Sequence, residues 1–528
     1  MQGHGCLIAR RRPSIGQVFP WAVVLVLLFA SLGLRLWNLP GQMTLLWDDE
    51  GIFMYQAWRL VSGDLPYKQL FLADTPMSQY LLGVAFKVFG VGPTQARAFV
   101  AVTGAVCVFL VYLIGKEAYG HWTGILAATL FSFDPIVFDA ARSFRPDYVV
   151  LGFELLTIFL FIKAIKRQKR RWAWLCGIAL GLGLLTKLVA VFVIGPIIIA
   201  ALAIRWFRRG FLTLVQIGTA AAVVMLPFIL LFLMTAPQEF FFDAYRYHIL
   251  KGYSLQAGMG WNEKLALFKS IFAPRSVLVY PAAISSGYAI LHRDRFTLTL
   301  TLMLVFSMSF FFMKYFWAHY FTLAIALLAL VCASLLHHLS TVIRPSFGQT
   351  HEDSGGRSFS AWVGHSAMNV RTLTYLALAL VFIGLVVGLT LPSNIRADIR
   401  KVKASEPPNS DTMRGIELTR ELVEPGEVIY TDIPFFAVMA KAVIPGGLND
   451  LSNVRMAAAL IDATDLTASI EEHDIRVVML MSGMHRHTMS LPDYRVFNNY
   501  LRTNGFQPRY TLYEPTGFTR ASIYIRQD

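Results

Sequence analysis

Long apolar runs separated by short polar breaks fill the first 391 residues of the chain, and mixed polar sequence takes over beyond them. A helix that crosses a bilayer needs about 20 mostly apolar residues, fewer where neighbours bury its ends. Eleven segments answer that description: 19–39, 97–115, 122–138, 148–165, 172–186, 188–204, 211–234, 276–291, 296–313, 319–338 and 372–391. Ser78 to Phe89 is also apolar but short and interrupted by Lys87, so it is expected to lie along the interface. Arg10-Arg11-Arg12 precedes the first run, and no small-residue cleavage site closes it, so that run reads as an uncleaved span.

Charge orients these spans. With Ser78–Phe89 left out of the count, Lys163–Arg171, Arg205–Arg209, Arg293 and Arg295 join Arg10–Arg12 on the cytosolic side, as the positive-inside rule requires. Counting that segment as a span would send Lys163–Arg171 outside. The non-cytosolic face then receives 40–96, 139–147, a tight turn at Lys187, 235–275, 314–318 and the C-terminal region.

The C-terminal region, 392–528, reads as a small soluble α/β domain. Glu427–Thr431 and Ile475–Met481 have the pattern of buried strands, and Thr464 is placed to cap a helix running to about His473. A further helix is expected from Leu491 to Gly505, and Thr511–Tyr513 with Ser522–Arg526 form a candidate hairpin. Ser340–Ala367, rich in Ser, Gly and His, reads as a flexible linker. The expected fold class is therefore a mainly α polytopic membrane protein of about 11 transmembrane helices plus interfacial helices. It comprises a transmembrane domain over 1–391, with its first outer loop at 40–96, and an extracytoplasmic α/β domain over 392–528.

Composition narrows the function. The chain is 55% hydrophobic and 15% charged with a formal net charge of +14. Residues 392–528 hold 15 Lys+Arg and 17 Asp+Glu, so the first 391 carry the excess, 47 − 15 = 32 basic against 33 − 17 = 16 acidic. The positive charge belongs to the membrane part, and no nucleic-acid partner is expected. Four cysteines, none in the C-terminal region, give no disulfide framework. There is no Walker loop, no zinc-protease helix, no nucleophile elbow and no zinc-spaced Cys pair, which argues against soluble-cofactor chemistry.

Carboxylates collect on the non-cytosolic side. Trp47-Asp48-Asp49-Glu50 follows the first span, and Asp139-Ala140-Ala141-Arg142-Ser143-Phe144-Arg145-Pro146-Asp147 opens the fourth. Asp147 and Glu154 are seven apart, on one helix face. Such acids can serve as a general base or hold a metal, and they can equally cap a helix or make a structural ion pair. Arg142, Arg145 and Lys187 are the cations within reach of Glu154. Arg246, among Tyr245, Tyr247 and His248, and Lys314, near His319 and Tyr320, offer what a lipid phosphate and a sugar ring require, and also what interfacial anchoring requires.

Trp47-Asp48-Asp49-Glu50-Gly51, Ser62-Gly63-Asp64-Leu65-Pro66-Tyr67, Asp74-Thr75-Pro76 and Gly90 together resemble the first outer loop of GT-C type membrane glycosyltransferases. The resemblance is to the branch containing protein O-mannosyltransferases and lipid A aminoarabinose transferases, and it covers about residues 19–340. Arg145-Pro146-Asp147, Thr186-Lys187 and His319-Tyr320 look like further landmarks of that family. The resemblance implies a polyprenyl-phosphate-linked sugar donor, a lipid, glycan or protein acceptor, and inverting transfer on the outer face of the cell membrane. It makes Asp49 the candidate general base, with Glu50 beside it and Asp147 the second acid. Asp48, Asp74 and Glu154 are other acidic candidates. Relatives with a bound divalent ion hold it near such acids, which makes Asp49 and Asp147 the metal candidates. Where relatives commonly have His or Lys before the first-loop Pro, this chain has Asp74-Thr75-Pro76, which leaves Lys187, Arg246 and Lys314 as alternatives for gripping the donor phosphate, with Arg142, Arg145, His319 and Tyr320 as further donor-phosphate or substrate contacts. The competing class is a polytopic transporter or lipid flippase using intramembrane acids, which predicts paired broken helices in two halves. No such pair is found in the sequence.

Overall fold

The computed structural model describes residues 15–39, 49–204, 207–254, 260–313, 316–343, 370–404, 410–452, 455–456, 460–483, 487–513 and 519–527. Each of the eleven apolar segments coincides with helix. The first is α1 (Ile15–Leu36), and after it come two shorter helices, α2 (Asp49–Ser62) and α3 (Met77–Phe89). Long helices α4 (Pro93–Tyr119) and α7 (Pro146–Arg167) flank α5 (His121–Ser132) and α6 (Pro135–Ala140). Then come α8 (Arg170–Leu184), a 3₁₀ turn at Leu188–Val193 leading into α9 (Ile194–Ile204), and α10 (Phe207–Thr235).

Seven of the described helical stretches are long and apolar enough to cross a membrane, and Leu188–Ala203 is a shorter apolar one. The difference from eleven lies in length. The helix α5 has 12 residues, which at 1.5 Å each is about 18 Å, short of a hydrocarbon core of about 30 Å. The interface segment, too, forms a helix of only 13 residues, α3, with Val84, Val88 and Phe89 exposed.

Helix pairs approach closely where side chains are small. A Cβ on Gly177 of α8 would stand 2.2 Å from the Ile217 carbonyl oxygen of α10, and one on Gly181 would stand 2.9 Å from that of Ala221. Without a hydrophobic force between helices in lipid, such backbone contact supplies the dispersion energy that holds them together. The following part of the bundle adds α11 (Pro237–Phe241), a π turn at Phe242–Arg246, α12 (Tyr247–Ser254), α13 (Trp261–Phe272), α14 (Ser276–His292), α15 (Arg295–Ser307) and α16 (Thr322–Ile343). Of the seven described spans, Ala318–Thr341 is the most deeply buried and lies at the bundle's centre.

The next helix, α17 (Val370–Ala404), runs unbroken past the expected domain boundary at 391/392. The expected linker at Ser340–Ala367 falls mostly outside the described residues. Beyond α17, a four-stranded sheet has the order β1-β2-β4-β3, from β1 (Tyr430–Thr431), β2 (Val477–Gly483), β3 (Phe506–Tyr513) and β4 (Thr519–Arg526). β1 pairs parallel with β2, and the other neighbours pair antiparallel. Pro508, which has no N–H to give a ladder, sits on the edge strand beside a register shift. Around the sheet lie α18 (Ser410–Leu422), α19 (Pro434–Ala440), α20 (Ala463–Glu472) and α21 (Tyr494–Thr503). The cap of α20 is Asp462, which accepts from Asp465 N, rather than Thr464: its carboxylate satisfies an orphan N–H of the first turn.

This sheet region is tied to α2 and to the loop after it. Asn449 accepts from Phe71 N at 2.8 Å and donates to Phe71 O at 3.0 Å, and Ile444 N donates to the Tyr55 hydroxyl at 2.7 Å. Buried partners on both sides make these bonds worth more than surface ones, because losing one strands a desolvated group.

Candidate active site

At the end of the bundle that carries the sheet region, the starts of α2 and α7 and two turns converge. Asp49 is the first residue of α2, and Asp147 lies in the first turn of α7 just after Pro146, which fits there because that position has no N–H to bond. Both acids thus sit at the positive end of a helix dipole, which favours their charge.

A continuous network joins them. Arg145 Nη2 lies 3.2 Å from Asp49 Oδ2, and Arg145 Nη1 lies 3.2 Å from His319 Nδ1. The His319 and Tyr320 rings meet edge to face at 4.8 Å, and the Tyr320 ring centre is 5.4 Å from Lys187 Nζ. Lys187 in turn donates to Asp147 Oδ1 at 2.9 Å and stands 3.7 Å from Asp74 Oδ2. Burial opposes charge on Lys187, yet the carboxylates of Asp147 and Asp74 outweigh it and raise its pKa, so the ammonium stays charged. The side chains of Asp147 and Asp74 are 13% and 12% exposed, whereas that of Asp49 is 45% exposed. Asp49 is therefore the carboxylate an incoming molecule can reach.

Glu50 faces elsewhere. One residue on along a helix is a turn of about 100°, and Glu50 is fully buried against Arg97, with Nη2 to Oε2 at 2.8 Å and Nε to Oε1 at 3.1 Å. It also accepts from Phe144 N at 3.0 Å, while Arg97 donates to Leu39 O at 2.8 Å. Its bonds tie α2 to α4 and to the loop that delivers Arg145. Arg142 gives its bonds to the carbonyls of Leu34, Arg35, Trp37 and Asn38, so it caps the end of α1. Glu154 is buried two turns below Asp147, and the three cations considered for it are engaged elsewhere. Asp48 and Lys314 lie outside the described residues. Arg246 is exposed and lines a separate cavity of about 830 Å³, which also includes Tyr67, Phe71, Asp243, Gly447 and Arg455.

Among the described residues no three His, Cys, Asp or Glu side chains gather closely enough to hold a metal ion. Asp49 and Asp147 already face Arg145 and Lys187, so the donor set does not fit a resident divalent cation. Several structural charges were not singled out in the sequence. Arg97 sits at the start of an apolar segment, where an ionisable residue signals a buried partner. The buried pair of Arg275 with Asp134, at 2.6 Å, gave no such signal because its members are 141 residues apart.

Residues 73–232 match a family described as dolichyl-phosphate-mannose-protein mannosyltransferase. YkcB of Bacillus subtilis (strain 168) is 24% identical over 185 residues, which is 33% of this chain and 25% of YkcB, so the chain matches about a quarter of that relative's length. Among solved structures, ArnT from Cupriavidus metallidurans bound to undecaprenyl phosphate superposes with a TM-score of 0.63 at 15% identity, covering 96% of this chain and 97% of that one. The archaeal oligosaccharyltransferase AglB from Archaeoglobus fulgidus, in complex with an inhibitory peptide and a dolichol-phosphate, gives 0.58 at 13% identity over 98% of this chain and 75% of that one. The chain has a GT-C-like fold.

Proposed function

We propose that this chain is an integral membrane glycosyltransferase that moves a hexosyl or pentosyl group from a polyprenyl-phosphate donor to a lipid, glycan or protein acceptor, with Asp49 as general base. The observation that carries this reading is the contrast within the network: one open carboxylate, Asp49, beside two enclosed acids that share a single lysine. The similarity of fold to a structure holding undecaprenyl phosphate supports the donor class.

The step balances without a cofactor. The acceptor hydroxyl oxygen attacks the anomeric carbon opposite the phosphate, the carbon–oxygen bond to phosphate breaks, and polyprenyl phosphate leaves with the electron pair. Asp49 takes the hydroxyl proton, and the configuration inverts. Arg145 and Lys187, already placed within this network, would stabilise the negative charge that grows on the leaving phosphate. Asp147 and Asp74 hold Lys187 in place, and His319 and Tyr320 join the two cations. The network and the sheet region would face the extracytoplasmic side of the cell membrane, in line with the basic connections at the other end.

Purified protein supplied with a radiolabelled polyprenyl-phosphate sugar tests this. Asp49→Asn and Asp147→Asn should each lower consumption at least about a hundredfold, within the range for loss of a positioned acid–base group. The melting temperature of Asp49→Asn should stay near that of the parent protein, whereas Asp147→Asn leaves Lys187 with Asp74 alone and should melt lower, so it is assayed at a temperature where it is folded. Full activity in both variants overturns the assignment, and uptake into liposomes without consumption would favour a transporter.

A further inference from the structure

The cavity of about 830 Å³ is separate from the carboxylate network but adjoins it. Phe71 forms part of its wall and Asp74 contacts Lys187. They are three positions apart in the chain, so their Cα atoms are at most about 11 Å apart. The intervening segment is held in place: Leu72 N donates to Asp243 Oδ2 at 3.0 Å, and His248 Nε2 meets Ala73 O at 2.6 Å. A molecule seated in the cavity would thus end near Asp74, at the Lys187 end of the network.

The walls come from Tyr67, Lys68 and Phe71 after α2, from α11 and the π turn over Pro237–Arg246, and from Gly446, Gly447 and Arg455. None of these residues belongs to a candidate span among the described residues. The volume lies within the usual range for small-molecule sites. Aromatic faces are plentiful, and Tyr67 is locked by edge contacts to Phe232 at 4.9 Å and Phe240 at 5.0 Å. At the base, the Arg455 guanidinium lies 3.8 Å above the Phe71 ring and is 8% exposed, with Nε lacking a hydrogen-bond partner. At the rim, Lys68 and Arg246 are exposed and form no ion pair among the described residues. Glu239 and Asp243 are the opposing acids, and Asp243 is spent on the wall through Leu72. At the rim Lys68 and Arg246 face Glu239 alone, because Arg455 and Asp243 are both buried, and the opening carries one excess positive charge.

We infer that this cavity is the acceptor site and that the acceptor it takes is an anionic saccharide, bearing phosphate or carboxylate, gripped by Lys68 and Arg246 with its rings against the aromatic wall. This rests on the glycosyltransferase reading, which it deepens by naming the acceptor class. Sugar rings present apolar C–H faces to aromatics, and exposed cations select anionic substituents by charge.

The test is binding to the full-length protein in nanodiscs, with trigalacturonate, glucose 6-phosphate and neutral maltotriose as probes. Trigalacturonate or glucose 6-phosphate should bind at least tenfold more tightly than maltotriose, and the tighter of the two identifies carboxylate or phosphate as the group read. The Lys68→Glu/Arg246→Glu double variant should lose at least tenfold for the anionic probe with unchanged melting. Should that variant not fold, raising salt to about 0.5 M should weaken anionic binding to the native protein by a similar factor. Asp49→Asn should bind the probe as the parent does, so loss of transfer and loss of acceptor binding are separately read. Equal affinity for all three probes, indifference to charge reversal or to salt, or tighter binding of a Ser/Thr-rich peptide overturns the inference.

Discussion

Replacing Glu50 by Gln separates a structural role from a chemical one at the residue next to the proposed base. Glu50 and Arg97 have side chains 0% and 1% exposed, and their two oxygens take Arg97 Nε and Nη2 as well as Phe144 N. Gln keeps the shape but not the charge, and its amide nitrogen cannot accept one of those N–H groups. Arg97 would be left as a buried cation with Leu39 O as its remaining carbonyl partner. Breaking a buried pair from one side costs about 3–5 kcal/mol, far more than an exposed pair is worth. The double variant Glu50→Gln/Arg97→Met removes both charges and should recover at least about half of that loss, since an apolar replacement leaves no stranded ion. The assay is thermal unfolding in detergent alongside donor consumption at a temperature where each variant is folded. Glu50→Gln should melt well below the parent, and the double variant should regain both melting temperature and activity. If Glu50→Gln melts like the parent yet is inactive, and the double variant stays inactive, Glu50 acts in the chemistry and the structural assignment is wrong.

Lys187→Met leaves Asp74 and Asp147 facing each other without their shared cation, so it should destabilise the protein by about 3 kcal/mol and abolish donor consumption. Lys187→Arg, which keeps the charge, should recover most of the melting temperature. Burial pushes the Asp243 carboxyl up to about 7, against the hydrogen bond from Leu72 and the charge of Arg455 that lower it, while Asp450 and Glu239 raise it further. The folded state therefore binds that proton more tightly than the unfolded chain, and the resulting stability is complete below about pH 4 and is lost as pH rises through about 7. Asp243→Asn should remove this dependence, seen as a smaller fall in melting temperature between pH 5 and pH 8. Gly177→Val drives a side chain into the Ile217 carbonyl and should separate α8 from α10, lowering melting temperature by several degrees; an unchanged value would show that the two helices are free to shift.

Sequence by itself determined the helical segments, because an apolar stretch of sufficient length has few alternatives to helix in a bilayer, where each backbone group must be satisfied within its own segment. It also located the acids in order along the chain, and the positions of β2 and the terminal hairpin to within a few residues, although the hairpin is longer than expected, at Phe506–Tyr513 with Thr519–Arg526. Which helices are long enough to cross was less legible, since helix ends depend on capping and on neighbours that α5 and α8 find only in the bundle. The distinction between Asp49 and Glu50 was not legible at all. Adjacent in sequence, they differ by about 100° around α2, and what each meets comes from 96 and 47 residues away, Arg145 for one and Arg97 for the other. The same holds for Lys187, whose two acids arrive from α7 and from the first loop, and for the cavity, whose three walls come from distant parts of the chain. Local pattern fixes backbone form because it depends on neighbours along the chain. The charge state and reach of a side chain depend on neighbours in space, and only the packed bundle supplies those.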